Sequence, residues 1–354
     1  VLKPRWEYGS QFHWQGFGAD GERGEIPWQT ESIQLGCGRD ALRGLVNHVT
    51  PARLWFPSYL CQELVAPFVG SHLELRVYGH SPLEPCLELS RIPLRPGDAV
   101  IVLNYFGIGT RERVLPAEVE NVTVIEDHTH DPCSTWARAS QADYCFASLR
   151  KSIPIPDGAV LWSPKALTLP QSEPAGFHRS AEVQERLSGM LLKSLYLDGY
   201  DVPKSTYREL LDRGEQRMAD RWISAISPLS RVVVEGFPFE AWRRARRDNF
   251  QRLHASLTHS GRFQVLESTD LQDAPFAVVC VFPDAHDRET AQASLIARDV
   301  YPSRLWPLEK PVLDGIPIEH VSLSRRTIAL PCDGRYGEGD VDRVLDAFAQ
   351  TDLL

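Results

Sequence analysis

Tyr144-Cys145-Phe146-Ala147-Ser148-Leu149-Arg150-Lys151, followed by Ser152-Ile153-Pro154-Ile155-Pro156-Asp157-Gly158-Ala159-Val160, reads as a short buried strand that ends on a hydroxyl and then a lysine. A Pro/Gly turn and a second apolar strand lie directly behind it. A lysine at the end of a core strand is unusual, because its ammonium must reach water or find chemistry to do. Upstream, Val122-Thr123-Val124-Ile125-Glu126-Asp127 is another strand that ends on charge. The expectation is that these two strand ends hold one cofactor between them.

Further apolar runs lie on either side, at 53–56, 73–77, 99–103 and 159–162. Several are nearly continuous in apolar residues, as expected for strands covered on both faces. Strands alternating with longer connecting segments predict an α/β domain with a mostly parallel sheet and helices on both faces. In such sheets ligands bind beyond the carboxyl ends of the strands, where Asn104, Asp127 and Lys151 fall. Earlier, Ile33-Gln34-Leu35-Gly36-Cys37-Gly38-Arg39-Asp40 leads into Ala41-Leu42-Arg43-Gly44-Leu45-Val46, whose apolar positions share a helical face. Glycines ahead of a helix leave backbone N–H groups free to take an anion, although a turn alone would also use them.

The remaining segments predict a large domain over 33–235, a smaller α+β domain over 236–354 and an N-terminal arm over 1–32. The arm is rich in Trp, Gly and charge, including Trp6, Tyr8, Phe12, His13, Trp14 and Gly18, and suits packing on another surface. Residues 180–225 read as helical on Val183, Leu187, Met190, Leu195, Tyr207, Leu211, Met218 and Trp222. Val232-Val233-Val234-Glu235-Gly236 breaks that pattern before a helix over Phe239–Leu257. Strands follow at 276–281 and 328–330, with helices near 288–297 and 340–349.

The 354 residues carry a formal net charge of −9 with both signs scattered, which argues against a nucleic-acid or anionic-membrane partner. The densest basic run, Arg243-Arg244-Ala245-Arg246-Arg247, is expected to be a solvated helix face or subunit contact. Seven cysteines with no CxxC or Cys/His ligand spacing read as reduced core thiols and point to no metal. No charged-then-apolar leader and no long apolar run is present, so a cytoplasmic setting is the expectation.

A carboxylate and a lysine at neighbouring strand ends, a hydroxyl three residues before the lysine and a glycine-led helix start match what pyridoxal phosphate (PLP) needs. The lysine forms the Schiff base, the acid keeps the pyridine nitrogen protonated, and the phosphate takes N–H groups and a hydroxyl. These pieces occur here in a further recognisable order: Gly36 to Leu42, Phe56-Pro57-Ser58-Tyr59-Leu60-Cys61, Leu103-Asn104-Tyr105-Phe106-Gly107, Val124-Ile125-Glu126-Asp127-His128-Thr129-His130, Phe146 to Lys151, and Asp157-Gly158. With Val300-Tyr301-Pro302-Ser303-Arg304-Leu305-Trp306-Pro307-Leu308 and Leu330-Pro331-Cys332-Asp333-Gly334-Arg335-Tyr336, the chain resembles the DegT-like family of PLP-dependent aminotransferases from about residue 33 to the end.

The resemblance implies fold type I, a homodimer, and transfer of an amino group from an amino-acid donor to a small-molecule keto acceptor, such as a sugar or natural-product ketone. It assigns Lys151 to the Schiff base and proton transfer, and Asp127 to the pyridinium nitrogen. Thr129 would lie under the ring, His130 near its oxygen, and Tyr59 would stack on it. Ser148 and the backbone of Gly38, Arg39 and Asp40 would hold the phosphate. Two departures stand out. Cys37-Gly38-Arg39 replaces the usual Ser-Gly-Thr, leaving Arg39 to bind phosphate or to face solvent, and the Gly-x-Asn-x-Arg segment that reaches a partner's cofactor is not recognisable. Phe12-His13-Trp14 and residues 226–231 are candidates to close the site instead. Other PLP chemistry (elimination, decarboxylation or carbon–carbon bond formation) is the alternative, and a non-catalytic scaffold is disfavoured because Asp127, Ser148 and Lys151 are all retained.

Overall fold

The apolar runs become strands of one sheet. The computed structural model describes residues 2–16, 28, 31–84, 86–109, 114–115, 119–174, 177–218, 223–268, 270 and 272–350; Gly18 and Trp222 lie outside them. The first part of the chain runs Tyr8–Gly9 (β1), Ser32–Leu35 (β2), Gly38–Val49 (α1), Arg53–Pro57 (β3), Gln62–Val65 (α2), Glu74–Tyr78 (β4), Leu87–Glu88 (β5), Asp98–Leu103 (β6), Val114–Leu115 (β7), Thr123–Asp127 (β8), Thr135–Arg138 (α3), Tyr144–Ala147 (β9) and Ala159–Trp162 (β10). It continues as Phe177–Leu197 (α4), Lys204–Arg217 (α5), Pro228–Gly236 (α6), Phe239–Leu257 (α7), Gln264–Val265 (β11), Ala277–Val281 (β12), Ala285–Ile296 (α8), Val300–Tyr301 (β13), Ile318–Arg325 (α9), Thr327–Pro331 (β14) and Glu338–Ala349 (α10).

The central sheet has seven strands in the order β2-β10-β9-β8-β6-β3-β4. From β9 to β4 every pairing is parallel, while β10 runs antiparallel to both β9 and β2. Both faces are covered, which is why the strands read as continuous apolar runs. Phe56, Ile101, Ile125, Phe146 and Leu161 pack with Leu42 and Leu45 of α1 on one face. Trp55, Val100 and Val102 form part of a core on the other, where Cys145, Val160 and Trp162 also pack. Register sets Asp127 between Leu103 and Phe146. Alternation along β8 then sends Glu126 to the opposite face, where its Oε2 accepts from Ser140 Oγ at 2.6 Å and lies 2.9 Å from His128 Nε2.

The C-terminal part builds a three-stranded sheet, β11-β12-β14, with its own core of Phe250, Leu253, Val278, Ile328, Val344 and Phe348. The arm packs on this part of its own chain. Its β1 pairs in parallel with β13, the Tyr8 hydroxyl donates to Pro331 O at 2.5 Å, and Trp6 Nε1 donates to Asp340 at 2.7 Å.

Two local expectations change. The valine run of 232–236 belongs to helix α6: Ser227 caps it by accepting from Ser230 N–H, and Pro228 supplies a first-turn φ without needing a partner for an N–H. The basic run on α7 is not a wholly solvated face. Arg246 is 2% exposed and donates to the carbonyls of His130, Ala274 and Ser152, so it fastens α7 to the loops that follow β8 and β9. All seven cysteines are free thiols. Among the described residues no helix is long and apolar enough to cross a membrane.

Candidate functional site

Three carboxyl-side loops and one helix start converge on a narrow cleft of about 60 Å³. From α1 come Gly38 and Arg39, from β8 Asp127, Thr129 and His130, and from β9 Ser148 and Lys151. Trp306, from the segment after β13, closes it. A second cavity of about 390 Å³ shares Glu63, Arg150 and Lys151 with the cleft as a common wall, and Phe12 of the arm lines it. Lys151 therefore stands between a small cleft and a larger space.

The start of α1 leaves backbone donors free. Cys37 is the N-cap in extended backbone with no side-chain cap, and the N–H groups of Gly38, Arg39 and Asp40 have no acceptor among the described residues. A Cβ on Gly38 would stand 3.2 Å from Ser148 Cβ, so glycine allows the helix start to come close to that serine. The Ser148 hydroxyl itself has no hydrogen-bond partner among the described residues, while its N–H donates to Thr129 Oγ1 at 3.0 Å. Asp40 contributes backbone only. Its carboxylate is buried in an ion pair with Arg179, away from the cleft lining.

Asp127 is 8% exposed. Burial pushes its carboxyl above the usual carboxylate range, opposed by hydrogen bonds from Thr129 and by the Lys151 charge. Its Oδ1 accepts from Thr129 N–H at 2.8 Å. A buried acid held this way suits a cationic partner with an N–H to donate. His130 is neutral, because burial first and the Lys151 charge second hold its imidazole down at about 3. The N–H of Phe106 donates to His130 Nδ1 at 3.1 Å, which leaves the ring's proton on Nε2. Its ring stacks on Trp306 at 5.5 Å between centroids.

Tyr59 lies one layer back. It is fully buried, its hydroxyl donates to Leu305 O at 2.8 Å, and its ring packs against Trp306 at 6.1 Å. Trp306 is the aromatic side chain that reaches the cleft from this side, and it lies in a segment already quoted for its sequence. Arg39 takes neither of the two positions expected for it: its Nη2 donates to Glu215 at 2.9 Å and its Nη1 to Glu63 at 3.5 Å. Residues 226–231 lie elsewhere, where Asp157 accepts from Ser227 N–H at 2.9 Å and from the hydroxyls of Ser227 and Ser230. Arg186 on α4 and Glu215 on α5 line the larger cavity and carried no signal in the sequence beyond being charged residues on helices.

No family model matches the chain, and no curated protein matches it in sequence. Solved structures do match it in fold. DesI, determined in the presence of its TDP-sugar product, is 14% identical, with a TM-score of 0.60 over 91% of this chain and 81% of that one. The ntda protein from Bacillus subtilis, with bound cofactor PMP, is 13% identical, with a TM-score of 0.58 over 91% of this chain and 74% of that one. A DegT DnrJ EryC1 StrS aminotransferase from Brucella abortus is 16% identical, with a TM-score of 0.53 over 91% and 86%. The chain has the fold type I architecture of these proteins, as the order of its motifs implied.

Proposed function

We propose that the chain is a PLP-dependent aminotransferase that moves an amino group from an amino-acid donor to a keto acceptor, with Lys151 as the lysine that bonds the cofactor. One observation carries this reading: Asp127 and Lys151 line the same cleft, beside an uncapped helix start and an unpaired serine hydroxyl. The neighbours of the same fold are an aminotransferase, a protein with bound PMP and a protein with a TDP-sugar product, which supports the same reading.

The residues fit the cofactor. Free N–H groups at Gly38, Arg39 and Asp40, with the Ser148 hydroxyl, would hold a phosphate; Asp127 would pair with the pyridine nitrogen, and Thr129 would lie under the ring. PLP, when bound, withdraws electrons from the substrate carbon attached to nitrogen, so that bonds at that carbon become labile. Asp127 would keep a proton on the pyridine nitrogen, and burial would strengthen that pairing. Lys151, lining both the cleft and the larger cavity, would carry a proton to and from the reacting carbon. His130 offers a neutral Nε2–H donor. Trp306 lines the cleft on one side of Lys151 and Phe12 lines the cavity on the other. On this reading the acceptor is a sugar or natural-product ketone. The protein works as a cytoplasmic homodimer, with a 1–32 arm, a 33–235 cofactor domain and a 236–354 small domain.

The test is spectroscopic. Purified protein with PLP should acquire the visible absorbance of lysine-bound cofactor, and amino donors should convert it to pyridoxamine phosphate. Lys151→Ala should abolish both. Unchanged absorbance and activity in that variant would end the reading.

A further inference from the structure

The cavity of about 390 Å³ beside Lys151 is lined by Arg150, Arg186 and Arg335 and by the carboxylates of Glu63, Glu215 and Asp333. Arg39, Arg150 and Arg186, with side chains 8–10% exposed, converge on the single carboxylate of Glu215. Arg150 grips it with two prongs, Nη2 to Oε1 at 2.9 Å and Nη1 to Oε2 at 2.8 Å, and Arg186 Nη1 donates at 3.0 Å. Glu63 is a weak fourth member, 3.5 Å from Arg39 and 60% exposed. Arg335, in the same cavity, is already matched by Asp333 at 2.8 Å.

Glu182 acts on Arg150 and Arg186 from a distance, and Asp157 on Arg186, but among the described residues Glu215 is the carboxylate that all three forks share. Donors remain unused as well: Arg150 Nε is buried without a partner, and Arg186 Nη2 makes no hydrogen bond among the described residues. The backbone is committed to this arrangement. Any Cβ at Gly214 would collide with the Arg186 stem, so glycine there lets that side chain cross α5, and Arg186 Nε is fixed by donating to Pro156 O at 2.6 Å. Planar guanidinium forks match carboxylate and phosphate oxygens.

We propose that Arg150 and Arg186 bind an acidic group of the substrate, a carboxylate or phosphate remote from the carbon that reacts at Lys151, and that Glu215 is the internal carboxylate with which this group competes. The reacting carbon rests on the aminotransferase reading; the anion site rests on the charge cluster. Substrates with a second acidic group are accepted over neutral analogues, because only they satisfy the unused donors.

The PLP-loaded full chain is titrated by calorimetry with butyrate, with inorganic phosphate and with butyramide, which is neutral. Butyrate or phosphate should bind at least tenfold more tightly than butyramide, and whichever binds more tightly identifies the group as carboxylate or phosphate. Arg186→Gln should weaken that probe at least tenfold, with partial recovery in Arg186→Lys. Glu215→Gln should strengthen it several-fold, a gain that misfolding cannot mimic. Equal affinities in wild type and both variants overturn the proposal, as does release of the cofactor by either probe, which would assign the cluster to the cofactor phosphate. Failure to take up PLP is visible in the absorbance before any probe is added and counts against the enzymatic reading; probe affinities of the unloaded chain then decide the anion site separately.

Discussion

The backbone N–H of Ser148 donates to Thr129 Oγ1 at 3.0 Å, joining the loop after β9 to the loop after β8. Thr129 also gives its own N–H to Asp127 and accepts from the Ser152 hydroxyl through its carbonyl. One threonine thus sets the spacing between the acid and the segment that carries Lys151. Thr129→Val should leave a buried N–H unpaired and cost about 1–3 kcal/mol, with weaker PLP binding. Thr129→Ser should retain most of both. Denaturant unfolding and PLP titration of the two variants check this.

Asp127→Asn separates cofactor pairing from folding. Burial makes the Asp127 charge costly in the cofactor-free chain, so the amide should leave its melting temperature unchanged or higher. The same change should remove about 3–5 kcal/mol from the cofactor-bound state. The expected measurement is a melting temperature that rises with PLP in the wild type and scarcely moves in the variant.

Gly214→Ala should destabilise the protein although alanine favours helix. Overpacking against Arg186 costs about 1–3 kcal/mol, against a helix-propensity gain of about 1 kcal/mol. Combining it with Arg186→Ala should remove the clash, so the two losses should be smaller together than their sum. Additive losses would place the strain elsewhere.

His130 should make stability depend on pH. Its folded value of about 3 lies below the ordinary histidine value, from burial and the Lys151 charge. The folded form therefore stays neutral while the unfolded chain takes up a proton below about 6.5. Stability from this group is full above that pH and is lost as pH falls toward 3, by up to about 1.4 kcal/mol per pH unit. Unfolding of the cofactor-free chain at several pH values should give a flatter profile for His130→Gln than for the wild type.

Much of the scaffold is legible in the sequence. Continuous apolar runs identified the strands of the parallel sheet because both its faces are buried, and the helix over Phe239–Leu257 followed from its period. The valine run of 232–236 reads as a break in the helical pattern because β-branched residues are weaker helix formers, whereas Ser227 and Pro228 start a helix that includes it. Within the cleft, Asp127, Ser148, Lys151 and the start of α1 were readable because chemistry-bearing residues at the carboxyl ends of adjacent parallel strands must lie on one edge of the sheet.

Local sequence determined the strands, the helix start and the charged residues at their ends, because period, glycine placement and strand polarity are properties of neighbouring residues. Only the tertiary structure decided what faces them. Trp306 at the cleft with Tyr59 packed behind it, the tether from Arg246, the arm that brings Phe12 to the larger cavity, and the convergence of Arg39, Arg150 and Arg186 on Glu215 all join residues far apart in the chain. Their pairing depends on how α4, α5 and the C-terminal sheet pack, and no local pattern encodes that packing.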